Sequence, residues 1–113
     1  MALENVIGGG EEAGLSGVIS AAGTTAATAT RALAQDTEVS TVASGSGVIL
    51  NAHFSQGEEM TVYNSTVTSL NVYPPTGMRI NSIAASSPMV LPPNTGVMFR
   101  CVSSTRIFGV LSA

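Results

Sequence analysis

The stretch GEEMTVYNSTVTSLNVYPPTG, residues 57–77, decides the fold class, because it holds two runs of alternating apolar and polar residues separated by a short turn. Residues 59–64 alternate so that Met60 and Val62 share one face of an extended strand. Residues 69–73 alternate in the same way. Two such runs joined by a few serine and threonine residues predict a β-hairpin.

Short strand patterns continue outward from this segment in both directions. The further strands are predicted at residues 37–43, 48–50, 78–81, 87–91, 97–102 and 105–111. Glycine and proline turns separate them, and the segment 37–43, which is mostly polar, is typical of an edge strand. No run long enough for a helix has helical periodicity. The pattern predicts an all-β fold, a single jelly-roll-like sandwich or compact β-barrel of about eight short antiparallel strands.

Residues 1–36 have a different composition from the rest of the chain. Residues 21–30 consist only of alanine, threonine and glycine, which offer too little apolar volume for a core. We therefore predict an extended N-terminal arm over residues 1–36 and a β-sandwich or jelly-roll domain over residues 37–113.

One apolar pattern occurs twice in the arm. Residues 3–7, Leu-Glu-Asn-Val-Ile, are echoed twelve residues later by residues 15–19, Leu-Ser-Gly-Val-Ile. The echo is either a chance match or a pair of short apolar anchors that dock onto a neighbouring molecule. The candidate contact residues of the arm are Leu3, Val6, Ile7, Leu15, Val18 and Ile19.

Charged residues make up 10% of the chain, against about 25% in a typical soluble domain, and lysine is absent. Either the surface is simply rich in serine and threonine, or much of it is covered in an assembly, since interface cores are depleted of charge. A net charge of −3 without a basic cluster argues against nucleic acid as a partner.

Three arginines are the most informative polar residues, because every acidic residue precedes residue 60. Arg79, Arg100 and Arg106 are either ordinary outward-facing strand charges or partners for carboxylates of a neighbouring molecule. We include them among the candidate partner or oligomer contacts.

The residues that could carry chemistry do not form a recognisable motif. His53 is the only histidine and Cys101 the only cysteine, too few for a structural zinc site, and Cys101 has the apolar parity of its strand. The adjacent Glu58 and Glu59 are expected to point to opposite faces of a strand. The sequence therefore predicts a protein that is not an enzyme, with no catalytic residues, no cofactor and no bound metal.

The start of the chain lacks the basic and apolar regions of a signal peptide. The apolar runs are far shorter than the ~20 residues that a transmembrane helix needs. We expect synthesis in a cytoplasm and no membrane partner.

Several of these runs together resemble a β-rich module that is common in structural proteins of tailed bacteriophages. The residues that carry the resemblance are Gly57–Asn64, Leu70–Pro74, Gly77, Ile80–Asn81, Leu91–Pro92 and Val97–Val102. The likeness covers residues 45–111, without the arm. It consists of strand and turn pattern and carries over no ligand-binding residues.

In a short chain, the resemblance implies a capsid decoration (cement) protein on the outer surface of the virion. Such a protein is expected to be made in the host cytoplasm and to bridge subunits of the major capsid protein. It is expected to do so as a homotrimer or homodimer. The alternative is a module associated with a tail or head fibre that binds carbohydrate of the host surface, for which Tyr63 and Tyr73 are the candidate stacking residues.

Overall fold

The computed structural model describes residues 16–32, 34–52 and 56–112, and this part of the chain contains ten β-strands and no helix. The prediction of an all-β fold is confirmed. The strands are β1 (Ser16–Ser20), β2 (Thr30–Ala32), β3 (Asp36–Thr41), β4 (Gly47–Leu50), β5 (Glu59–Asn64), β6 (Leu70–Tyr73), β7 (Arg79–Ile80), β8 (Met89–Leu91), β9 (Thr95–Cys101) and β10 (Arg106–Leu111).

The strands form two sheets, and the first six strands alternate between them. Sheet 1 has the order β1-β3-β5-β9-β10-β7, and sheet 2 has the order β2-β4-β6-β8. Within each sheet, these six strands pair in parallel. The chain therefore winds as three coils of a β-solenoid, each with one strand in each sheet. Ser16 pairs with Asp36 and Asp36 with Thr61, so successive coils take 20 and 25 residues.

The last four strands do not continue the parallel coils, because β8 and β9 run opposite to the strands beside them. β9 pairs antiparallel with β5, and β8 pairs antiparallel with β6. β10 then pairs antiparallel with β9 and parallel with β7. The side of β5 on which a fourth coil would add is thus occupied by β9.

The core lies between the two sheets and is mainly aliphatic. Its residues are Ala32, Val39, Val48, Leu50, Met60, Val62, Leu70, Val72, Met78, Ile80, Met89, Leu91, Val97, Phe99, Cys101 and Ile107. Alternation supplies them, because every second side chain of a strand points to the opposite sheet. Each fully buried side chain of this size contributes about 1.5–3 kcal/mol, which makes this layer the main source of stability.

The predicted hairpin is wrong, and with it the antiparallel jelly-roll or barrel arrangement. β5 and β6 lie where the strands were predicted, but they belong to different sheets. Residues 65–69 between them can span up to about 16 Å, enough to cross the ~10 Å between packed sheets. The apolar face of each strand shows only that the strand packs on a core. It is equally compatible with β5 and β6 as neighbours in one sheet and as members of two facing sheets.

The predicted edge strand is also wrong, because β3 lies inside sheet 1 between β1 and β5. The polar residues on its outer face, Asp36, Glu38 and Ser40, reflect solvent above the sheet, not a free edge.

Part of the predicted arm belongs to the folded solenoid. β1 and β2 pair with β3 and β4, Ala32 is fully buried, and Ile19 packs against the core. Small residues cannot build a core of their own, but they can add strands to an existing sheet. Residues 1–15 lie outside the described residues, and the proposed anchors Leu3, Val6, Ile7 and Leu15 lie among them.

Candidate functional site

The outer face of sheet 1 is the surface of sheet 1 that points away from the core. It is formed by the residues that alternate with the core positions of its strands. Its larger side chains are Val18, Asp36, Glu38, Glu59, Thr61, Tyr63, Arg79, Met98, Arg100, Arg106, Phe108 and Val110.

An apolar strip, consisting of Met98, Phe108 and Val110, crosses this face on β9 and β10. The three side chains are 54%, 54% and 52% exposed. Val110 lies directly beside Met98 in the antiparallel pair, and a groove of about 370 Å³ runs between them. Contiguous exposed apolar side chains of this kind mark surfaces that bind another molecule.

The opposite sheet is covered by the chain itself. Ile49 and Tyr73 lie outside the core cluster, yet they are only 8% and 6% exposed. The Tyr73 hydroxyl donates a hydrogen bond to the carbonyl oxygen of Thr24 at 3.2 Å, which ties the segment 22–29 across sheet 2. Apart from Val90 on β8, the exposed large apolar side chains of the two outer faces therefore lie on sheet 1.

Charges of opposite sign flank the apolar strip. Asp36 and Glu38 point outward from β3, whereas Arg106 on β10 lies beside Arg79 on β7 in the parallel register. Between them, Arg100 Nη1 donates to Glu59 Oε2 at 2.8 Å across neighbouring strands. These two side chains are 55% and 49% exposed, so the ion pair contributes no more than about 1 kcal/mol. The face is acidic on one side and basic on the other.

The structure brings together three of the predicted contact residues. Arg79, Arg100 and Arg106 all lie on the outer face of sheet 1. Val18 lies on its far edge and is 65% exposed. Ile19 instead faces the core, because neighbouring residues of a strand point to opposite sides.

The sequence reasoning missed Asp36, Glu38 and the apolar strip as parts of this face. One signal was present for the strip. Residues 97–99 and 107–111 contain apolar residues at odd and at even positions, which indicates strands that are apolar on both faces. The two acids could be assigned only once the parallel pairing of β3 with β5 was known.

Of the residues considered for chemistry, Cys101 lies in the core. Cys101 is 2% exposed within the core, where its Sγ donates to the carbonyl oxygen of Ser103 at 3.2 Å. His53 lies outside the described residues. Within residues 16–32, 34–52 and 56–112, no group of three His, Cys, Asp or Glu side chains could hold a metal ion.

No helix in the described segments is long and apolar enough to cross a membrane.

Comparison with protein-family models, with curated proteins and with solved structures gives no match to this chain.

Proposed function

We propose that this chain is a structural virion protein that decorates the outside of a tailed-bacteriophage capsid. In this proposal it bridges subunits of the major capsid protein as a small homo-oligomer. The single observation that carries the proposal is the outer face of sheet 1, with its exposed apolar strip between acidic and basic residues. The likeness of residues 45–111 to phage structural modules supplies the class of partner.

The physical properties of the chain suit such a role. A decoration protein performs no reaction and holds neighbours through many modest contacts repeated over a shell, with avidity supplied by its own oligomer. A surface poor in charge and rich in serine, threonine and asparagine suits hydrogen-bonded, wet interfaces. Two packed sheets also give a stiff body, which transmits force between the subunits it contacts.

Binding to phage heads tests the proposal directly. Purified full-length chain is added to heads of the corresponding phage that were assembled without it, and the mixture is sedimented. We expect saturable binding with a fixed number of copies per head, and heads that withstand heating better than undecorated ones. Binding to neither heads nor isolated major capsid protein would contradict the proposal.

A carbohydrate-binding fibre module is the second candidate, and one observation favours it. A groove of about 360 Å³ is lined by Asp36, Glu38 and Tyr63, and Tyr63 is 42% exposed. An exposed ring can stack on a sugar while carboxylates accept hydrogen bonds from its hydroxyls. Tyr73 is buried under residues 22–29, so its ring is not available for stacking.

A glycan array separates the two functions. A specific signal that disappears in Tyr63→Ala and persists in Tyr73→Phe would favour the fibre module. No signal together with head binding would favour decoration of the capsid.

A further inference from the structure

We propose that the outer face of sheet 1 is the interface between two copies of this chain, related by a two-fold axis that runs diagonally across the face. The strands of the two sheets then cross at close to a right angle, one of the two common geometries for packed sheets. The inference rests on the proposed function and deepens it, because it assigns the oligomer contact and its symmetry.

Strand register fixes where the charges lie on the face. Asp36 is level with Thr61, Met98 and Val110 in one row across the sheet. Arg106 lies four residues along β10 from Val110, about 14 Å away. The acids of β3 and the arginines of β10 and β7 therefore occupy diagonally opposite corners.

The two charged pairs are oriented differently. Asp36 and Glu38 are neighbours along one strand, about 7 Å apart, whereas Arg106 and Arg79 are neighbours across two strands, about 5 Å apart. The diagonal two-fold axis lies in the plane of the face, between the strand direction and the direction across the strands. Residues that are neighbours along a strand in one copy therefore lie over residues that are neighbours across strands in the second copy. The axis lays Asp36 of one copy over Arg106 of the second copy, and Glu38 over Arg79.

The same axis passes over the middle of the face. It runs close to Val110, Met98 and the Glu59–Arg100 ion pair, so the apolar strips of the two copies meet along the axis, beside this ion pair. In this isologous interface the apolar side chains meet along the axis, Glu59 and Arg100 remain paired with each other, and the other charged pairs form at the rim.

Two other face-to-face arrangements are less favourable. An axis perpendicular to the strands lays β3 over β3, which brings the acids of both copies together. An axis parallel to the strands lays Asp36 over Val110, which buries a carboxylate against apolar side chains and costs several kcal/mol. Within the described residues, Asp36, Glu38, Arg79 and Arg106 have no salt-bridge partner, which leaves all four available for a second copy.

The interface is small. Five strand spacings give a width of about 24 Å, and six residues along the strands, from the row of Glu38 to that of Arg106, give a length of about 20 Å, so the area lies toward the low end of stable interfaces. We therefore expect a reversible dimer that weakens as salt screens the rim charges.

Sedimentation velocity of the full-length chain over a range of concentrations tests the dimer. Asp36→Arg and Arg106→Asp should each weaken dimerisation by roughly tenfold or more, because each alters two symmetric contacts. The double variant D36R/R106D should restore it. Arg31→Asp makes the same change of charge on exposed Arg31 of β2 in sheet 2, and should leave the dimer unchanged.

Matched valines test the apolar strip. Val110→Asp should abolish the dimer, whereas Val90→Asp should not, although Val110 and Val90 are similarly exposed at 52% and 57%. A dimer that survives Val110→Asp, or a double charge variant that stays as weak as the single ones, would overturn the inference.

Disulfide trapping tests the direction of the axis. A mixture of Asp36→Cys chains with Arg106→Cys chains should form a disulfide-linked heterodimer, whereas each variant alone should not. Cross-linking of Asp36→Cys with Val110→Cys instead would identify the axis parallel to the strands and overturn the diagonal one. Cys101 is 2% exposed and does not compete while the chain is folded.

The two proposals fail in different ways. A full-length chain that stays monomeric at every concentration and still binds heads rejects the dimer and keeps the decoration function. A chain that dimerises as described but binds no heads rejects the decoration function and keeps the dimer.

Discussion

Asn64 ends β5 and is fully buried, which makes it the polar residue on which the corner between the two sheets depends. Its Nδ2 donates to the carbonyl oxygens of Thr68, Leu91 and Pro92, at 2.8, 3.3 and 3.3 Å. Its Oδ1 accepts from the backbone N–H of Thr66 at 3.0 Å and from its hydroxyl at 2.7 Å. One side chain therefore joins the corner after β5 to the end of β8.

Asn64→Ala should lower the free energy of unfolding by about 3 kcal/mol, because it leaves several buried donors and acceptors unsatisfied. Denaturation with urea measures the change. Asn71→Ala is the matched control: Asn71 makes an exposed hydrogen bond to the carbonyl oxygen of Gly45 at 3.3 Å, and we expect a loss below ~1 kcal/mol. Equal losses in the two variants would show that the corner does not depend on Asn64.

Gly47 begins β4 where β6 and its side chains approach closely. A Cβ at this position would lie 2.8 Å from both the carbonyl oxygen of Asn71 and the ring of Tyr73. Gly47→Ala should therefore destabilise the fold by roughly 1–3 kcal/mol. Gly17→Ala, whose Cβ would meet among the described residues only the Cβ of Ala34 at 3.6 Å, should leave the melting temperature unchanged or slightly higher. A melting temperature unchanged in Gly47→Ala would contradict this packing.

At the scale of strands, residues 16–20 act either as part of the sheet, as β1, or as a tether, and the stability of variants in β1 distinguishes the two. Ile19→Ala should lower stability by about 1–2 kcal/mol, since Ile19 packs against the core. Val18→Ala should change it by less than about 0.5 kcal/mol, because Val18 is 65% exposed. Thermal unfolding of both variants measures the difference. An unchanged melting point in Ile19→Ala would favour a tether.

The sequence was sufficient to locate most strands but not to pair them. Alternation at residues 59–64 and 97–102 identifies the core positions, because a strand between solvent and a core must be apolar on one face. Which strands pair depends on whether each connection returns along the same sheet or crosses to the other sheet. Residues 65–69 contain nothing that distinguishes a hairpin turn from a corner between two sheets.

The arginines of the outer face were predictable as contact residues, while their acidic counterparts were not. Arg100 and Arg106 alternate with apolar neighbours, so their strands present them to the outside. Asp36 and Glu38 lie far away in sequence, where the composition predicts the end of an arm and an edge strand. Only the parallel register of β3 with β5 places them on the same face.

At the scale of the whole molecule, the first coil is an integral part of the fold. Deletion of residues 1–36 removes β1, β2, the buried Ala32 and the segment that covers Tyr73. This deletion should abolish cooperative unfolding, which circular dichroism during heating records. Deletion of residues 1–15 spares every described strand and should leave a cooperative transition. A stable, cooperative fragment 37–113 would show that the domain begins after the arm.

The unequal ends of the solenoid have a mechanical consequence. Among the described strands, β1 has a neighbour on one side only, whereas β9 is held between β5 and β10. Tension applied at the N-terminal side therefore loads the hydrogen bonds of one edge in succession, and the first coil peels away. Tension applied through β9 loads two ladders together and has to shear them. The molecule is compliant at its beginning and stiff toward its end, so the direction of a pull determines how much of the fold yields.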